Sequence, residues 1–268
     1  MKRRLSGFTL IEMLVTISLI AILGAITFTG IQCARKKART VVEIHAARNL
    51  VTGYLGYAAE NNGQVLTGYQ TDPTATNLQG KPLEFPINAR YPWRLAKSVP
   101  AVKGVLVFNG NESVLEKKDS DYLVSAEPNL GLNATLIGGH FGSGSPLAPT
   151  SRIVEAYGKF YLSHLTESDD PAKLVVFTSA RSGAGKPGYF EVRPPRLTGP
   201  MWRAGKFTDN SPASAHGFVD FRWDGKAVAV MLGGNVELLN ETQLRDMRRW
   251  SHQAARANEA DFTIRRAE

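Results

Sequence analysis

Residues 8–31 read FTLIEMLVTISLIAILGAITFTGI, an apolar run in which Glu12 is the only ionisable side chain. At about 1.5 Å of rise per residue, these 24 residues make a helix of about 36 Å, long enough to cross a hydrocarbon core of about 30 Å. The run dictates a membrane-length helix, and the rest of the chain must fold beyond it. Glu12 is the anomaly. A carboxylate at membrane depth costs about 2.5–3.5 kcal/mol on insertion scales, so it calls for a partner.

Basic residues bracket the run, with Lys2, Arg3 and Arg4 before it and Arg35, Lys36, Lys37 and Arg39 after it. These clusters carry most of the formal net charge of +8, so the excess reads as membrane-flanking charge and nucleic-acid binding is not expected. A cleaved secretory signal has an apolar region of about 7–15 residues ending in a small-residue cleavage site. This run is too long, and its polar break lies near the start. A plain signal anchor fits the length but gives Ser6, Gly7 and Glu12 no role. Flanking charge does not set the orientation, because basic residues stand on both sides. Cys33, the only cysteine, excludes an intrachain disulfide and a cysteine-based metal site. It reads as a small, partly buried thiol on a helix, with intermolecular pairing or acylation as alternatives.

The stretch Gly7-Phe8-Thr9-Leu10-Ile11-Glu12-Met13-Leu14 closely resembles the prepilin signal of type IV pilins and type II secretion pseudopilins. The resemblance implies cleavage by a membrane-embedded prepilin peptidase between Gly7 and Phe8, followed by N-methylation of Phe8. It gives Glu12 the place of the family glutamate, which neutralises the terminal amine of a neighbouring subunit during filament assembly. The implied partners are prepilin peptidase, other pilin or pseudopilin subunits, an inner-membrane assembly platform and the lipid bilayer. The implied location is the inner membrane, single-pass, with the head in the periplasm or outside the cell. Physical chemistry supports the pairing, since buried charges are tolerated when paired and are best attested as fixing register. Ser18, Ala21, Gly24 and Ala25 offer close-approach positions to other helices. Many major pilins carry a proline in the second half of this segment. Here there is none, which leaves Gly24 and Gly30 as the soft points.

Beyond the apolar run, Val42, Ala46, Leu50, Tyr54, Leu55 and Ala58 recur at helical spacing until Asn61-Asn62-Gly63 stops the pattern. One helix from about residue 8 to 61 would be about 80 Å long. The expected organisation is a leader peptide at 1–7, a transmembrane and assembly helix at 8–31, its amphipathic continuation at 32–62, and a globular head at 63–268. The fold class is α+β and pilin-like, a long N-terminal helix packed on an antiparallel sheet with a C-terminal helix. Residues 64–100, rich in Gly, Pro, Thr and Asn, read as an extended loop with one short helix. Strands are expected at 104–108, 121–125, 174–178 and 188–192, a Gly-rich loop at 138–145 and a helix at 151–165. Residues 218–223 alternate towards Asp224-Gly225, a tight-hairpin pair, followed by return strands at 226–232 and 235–239 around Gly233-Gly234. The apolar side of this meander should pack on the stem. A last helix at 241–257 can be capped by Asn240 with Gln243, with Leu244, Met247, Ser251 and Ala254 on one face and Arg245, Arg248, Arg249 and Arg256 making the rest basic.

Asn129-Leu-Gly-Leu-Asn133, Gly138-Gly139 and the closing meander resemble a pseudopilin-like subclass named for a His, nine residues, then Asp-Gly. Trp223 stands at the His position, Gly233 at the Asp and Asn235 at a second His, so the turn is kept and the polar side chains are not. Major pseudopilins of type II secretion bind calcium through a C-terminal loop. On that resemblance Asp209, Asp220 and Asp224 are weak calcium candidates, and no other cofactor is expected. Arg181–Pro187 lacks the first glycine and the Ser or Thr of a phosphate loop and reads as a surface turn. His45, His140, His164, His216 and His252 have no metal-site spacing, and His140–Ser145 has no Gly-x-Ser-x-Gly elbow. The expectation is a non-enzymatic filament subunit, with a membrane-anchored periplasmic ligand-binding or enzymatic domain as the alternative.

Overall fold

The computed structural model describes residues 9–267. They divide into two compact units, one ending at Val41 and one beginning at Val42. Helix α1 (Leu10–Glu60) supplies nearly all of the described residues of the first unit and opens the second. In the first unit every described residue from 9 to 39 is exposed, including Leu10, Ile11, Leu14, Ile20, Leu23 and Phe28. An 18-residue window here has a mean hydropathy of 2.3. Each large apolar side chain left in water forgoes about 1.5–3 kcal/mol of burial, so this surface is built for lipid or other helices. Its hydroxyls are already satisfied by their own helix. Thr16, Ser18, Thr27 and Thr29 donate to the carbonyls of Met13, Leu14, Leu23 and Ile26 at 2.7–2.9 Å, as a segment without water requires.

In the second unit the buried stripe of α1 includes Ala46, Ala47, Leu50, Val51, Gly53, Tyr54 and Ala58, the face set by the three-to-four spacing. Gly53 allows the closest approach, because a Cβ there would lie 2.5 Å from the Ser98 carbonyl oxygen. The helix stops where Asn62 (φ 56°) and Gly63 (φ 82°) turn left-handed, and the Gly63 N–H reaches the Ala58 carbonyl at 2.7 Å. Short helices follow at α2 (Tyr91–Leu95), α3 (Ser120–Ala126), α4 (Ser151–Tyr157), α5 (Glu241–Leu244) and α6 (His252–Ala257). The strands are β1 (Leu130–Leu132), β2 (Val175–Ser179), β3 (Arg181–Gly183), β4 (Lys186–Pro187), β5 (Lys226–Met231) and β6 (Val236–Asn240).

An antiparallel sheet runs in the order β1-β2-β5-β6. Strand alternation in β5 sorts its side chains to two faces. Val228 and Val230 join the cluster of Ala46, Leu50, Tyr54 and Phe177. Ala227, Ala229 and Met231 join Leu244, Met247, Trp250 and Ala254. The expected packing of the meander on the stem is present, with Tyr54 edge-on to Phe177 at 5.4 Å. The sequence reading missed that the opposite face is covered as well, so the sheet lies between the stem and the C-terminal segment.

Several elements differ from expectation for local reasons. Residues 104–108 form a buried turn, because Gly104 (φ 84°) bonds back to Val107 at 2.8 Å. Residues 121–125 belong to helix α3, whose Asp121 carbonyl accepts from the Trp93 indole at 2.7 Å. The stretch 188–192 makes single bridges, Glu191 with Leu132 and Gly188 with Arg181. Helix α4 ends at Tyr157, where Gly158 takes φ 71°. The Asp224-Gly225 hairpin forms with φ of 53° and 75°, and Trp223 and Lys226 exchange both backbone bonds at 3.0 Å. Its approach arm is irregular because Gly217 and Phe218 both take positive φ. The capping box of Asn240 and Gln243 also forms. The expected single helix 241–257 is nevertheless broken into α5, a 3-10 turn and α6, since Asp246 and Ser251 side chains cap new starts. Leu244, Met247, Ser251 and Ala254 are all buried despite the breaks.

Candidate functional site

Glu12 sits in the first turn of α1 and faces back to its start. Its Oε2 accepts from the Thr9 backbone N–H at 2.8 Å and from the Thr9 hydroxyl at 2.9 Å, while the Thr9 hydroxyl accepts from the Glu12 N–H at 3.3 Å. This is a reciprocal capping box, and Thr-x-x-Glu is its sequence signature. The box satisfies helix donors that lipid would leave orphaned. It also holds the carboxylate at the end of the helix where positive charge is concentrated. Glu12 Oε1 makes no hydrogen bond among the described residues, which leaves one carboxylate oxygen for a cation. Thr9 was not singled out in the sequence, although the signature was legible there. Gly7 and Phe8 lie outside the described residues.

A second charged cluster lies on the buried part of the stem. Glu43 is fully buried, and its Oε1 accepts from the Ser179 hydroxyl and from Arg222 Nη2 at 3.1 Å. Arg222 also donates to the Asn129 carbonyl at 2.9 Å and lies 3.3 Å from Asp220. The Ser179 hydroxyl in turn accepts from the Val228 N–H at 2.9 Å. The acid of the helix is thereby tied to β2, β5 and the 218–223 arm. No periodicity or motif marks Glu43, whose partners are 136 and 179 residues away.

The three calcium candidates lie in different local settings. Asp220 pairs with Arg222, and burial raises its carboxyl although Arg222 and Arg181 oppose the shift. Asp209 offers its backbone carbonyl to Arg181 at 2.9 Å, and Asp224 occupies the left-handed turn position. Among the described residues no three His, Cys, Asp or Glu side chains are grouped to hold a metal. His140 is buried with Nδ1 3.4 Å from Glu191 Oε2, and burial together with Arg193 pushes it down to about 4. Burial raises the Glu191 carboxyl, against two hydrogen bonds from Arg193 at 3.0 and 2.6 Å. Segment 181–187 is the β3–β4 hairpin, with Gly185 at φ 66°.

Residues 2–28 match the family model described as the prokaryotic N-terminal methylation motif. No curated protein and no solved structure matches the chain.

Proposed function

The chain carries the N-terminal methylation signal of type IV pilins and pseudopilins, and on that premise we propose a structural, non-enzymatic subunit of a type II secretion pseudopilus or type IV pilus-like filament. Prepilin peptidase hydrolyses the Gly7–Phe8 bond, and methylation follows on the new Phe8 amine. The subunit stays in the inner membrane through residues 8–31, with its head on the far side, until the assembly platform draws it into a filament. The observation that carries this reading is the motif leading into a fully exposed apolar helix with a single acid in its first turn. Residues 13–42 contain no Asp or Glu, so Glu12 is the segment's one anionic handle for a neighbour's amine. The Thr9 box presents it with one oxygen engaged and one available. The Gly233 N–H docks on the Pro171 carbonyl at 2.7 Å, which supports a retained turn of the subclass type without its polar side chains.

Glu12→Gln tests the reading, because an amide oxygen still accepts from Thr9 while the charge is gone. Glu12→Ala removes both and leaves the Thr9 backbone N–H without its carboxylate acceptor, while the Thr9 hydroxyl still caps the residue-12 N–H. Both variants should be cleaved and methylated, and both should fail to cross-link into filaments with unmodified subunits. Normal incorporation of Glu12→Gln would refute the pairing role.

A further inference from the structure

After the apolar run, Arg35, Lys36, Lys37 and Arg39 are all exposed on α1. At about 100° per residue they spread over about 200° of the helix circumference, while Ile31, Ala34, Ala38 and Val41 occupy the remaining arc. The helix here has a basic side and a small or apolar side. Arg35 begins about 6 Å beyond Ile31 and Arg39 lies about 12 Å beyond it. A headgroup layer of about 5–7 Å per leaflet spans that interval once the long basic side chains reach back along the helix.

Processing sharpens the point. Cleavage after Gly7 removes Lys2, Arg3 and Arg4, so the mature span keeps its flanking Lys and Arg on the head side alone. Basic residues are normally retained on the cytoplasmic side, and a head-outward chain therefore places this collar against the usual bias. We propose that the 35–39 collar binds the phosphates of anionic phospholipids in the leaflet from which α1 emerges, fixing the depth of the helix and leaving its Ala/Val side to neighbouring subunits. The inference rests on the membrane-spanning reading of residues 8–31.

The test uses the full processed chain in phosphatidylcholine bilayers containing spin-labelled phosphatidylglycerol or spin-labelled phosphatidylcholine. The unmodified chain should concentrate phosphatidylglycerol over phosphatidylcholine roughly fivefold, the equivalent of one charge–headgroup contact, and high salt should reduce that excess. Replacing all four basic residues with Gln should bring the ratio to parity, and Arg35→Lys with Arg39→Lys should preserve it. If the four-Gln chain does not insert, Lys36→Gln with Lys37→Gln should still lower the ratio. Parity for an inserted unmodified chain, or an excess unchanged in these Gln variants, overturns the proposal. Retained lipid excess with lost subunit cross-linking also overturns it and assigns the collar to an acidic protein partner. Extraction of the unmodified chain from the bilayer by alkaline carbonate would instead refute the spanning reading itself.

Discussion

Replacing Arg222 with Met strips the charged partner from Glu43 while keeping much of the side chain's bulk. Glu43 would keep the Ser179 hydroxyl and lose the 3.1 Å guanidinium contact, with its carboxylate still fully buried. Breaking a buried ion pair by removing one partner destabilises by about 3–5 kcal/mol. The Arg222 side chain is 17% exposed, so water can reach its side of the pair and the lower end, about 3 kcal/mol, applies. At about 2–4 °C per kcal/mol for a head of this size, Tm should fall by about 6–12 °C. The assay is thermal and urea unfolding of the full chain in detergent, followed by the near-ultraviolet signal of the buried Trp250. Glu43→Leu combined with Arg222→Met should recover part of the loss, because Glu43 is then no longer stranded while Asp220 still lacks its Arg222 partner. A single Arg222→Met within 0.5 kcal/mol of the unchanged chain, or a double variant as unstable as the two singles added, would refute the reasoning.

Two glycines separate packing from backbone strain. Gly53→Ala puts a methyl 2.5 Å from the Ser98 carbonyl and 2.7 Å from Val99 Cγ1, and should destabilise by about 1–3 kcal/mol through overpacking. Gly225→Ala meets nothing within 4 Å but holds φ 75°, and should lose about 1–2 kcal/mol by strain alone; equal tolerance of both in urea unfolding would contradict the geometry. His140, at about 4 in the fold against about 6.5 unfolded, contributes stability that is full above pH 6.5 and lost as pH falls towards 4. The loss is at most about 3 kcal/mol, and Glu191, whose carboxyl is raised, offsets part of it with opposite sign. His140→Gln should therefore flatten the decline of Tm across that window, and an unchanged slope would count against a neutral buried imidazole.

What the chain reveals in sequence depends on how local the physics is. The apolar run, the stem's buried stripe, the Asp224-Gly225 hairpin and the Asn240 cap are each set by neighbours within a few residues, and each forms. Short apolar runs such as 104–108 and 121–125 carry no such local decision. One closes as a turn at Gly104, and the other coils into α3 against Trp93. The C-terminal breaks follow from Asp246 and Ser251 competing for backbone N–H groups, a possibility that helical spacing alone does not weigh. Glu12 stood out because lipid makes a lone acid conspicuous, and Thr9 was overlooked only because its role needs the helix start. Glu43 could not be found in sequence at all, since Ser179 and Arg222 come to it from 136 and 179 residues along the chain.

One covalent event at residues 7 and 8 decides whether this chain is a filament subunit, and mass spectrometry of the N-terminal peptide from membrane-extracted protein reads it directly. The prediction is a chain beginning at Phe8 and heavier by one methyl group, with Met1 to Gly7 gone. A chain still beginning at Met1, or one cut at or beyond residue 25, would contradict it.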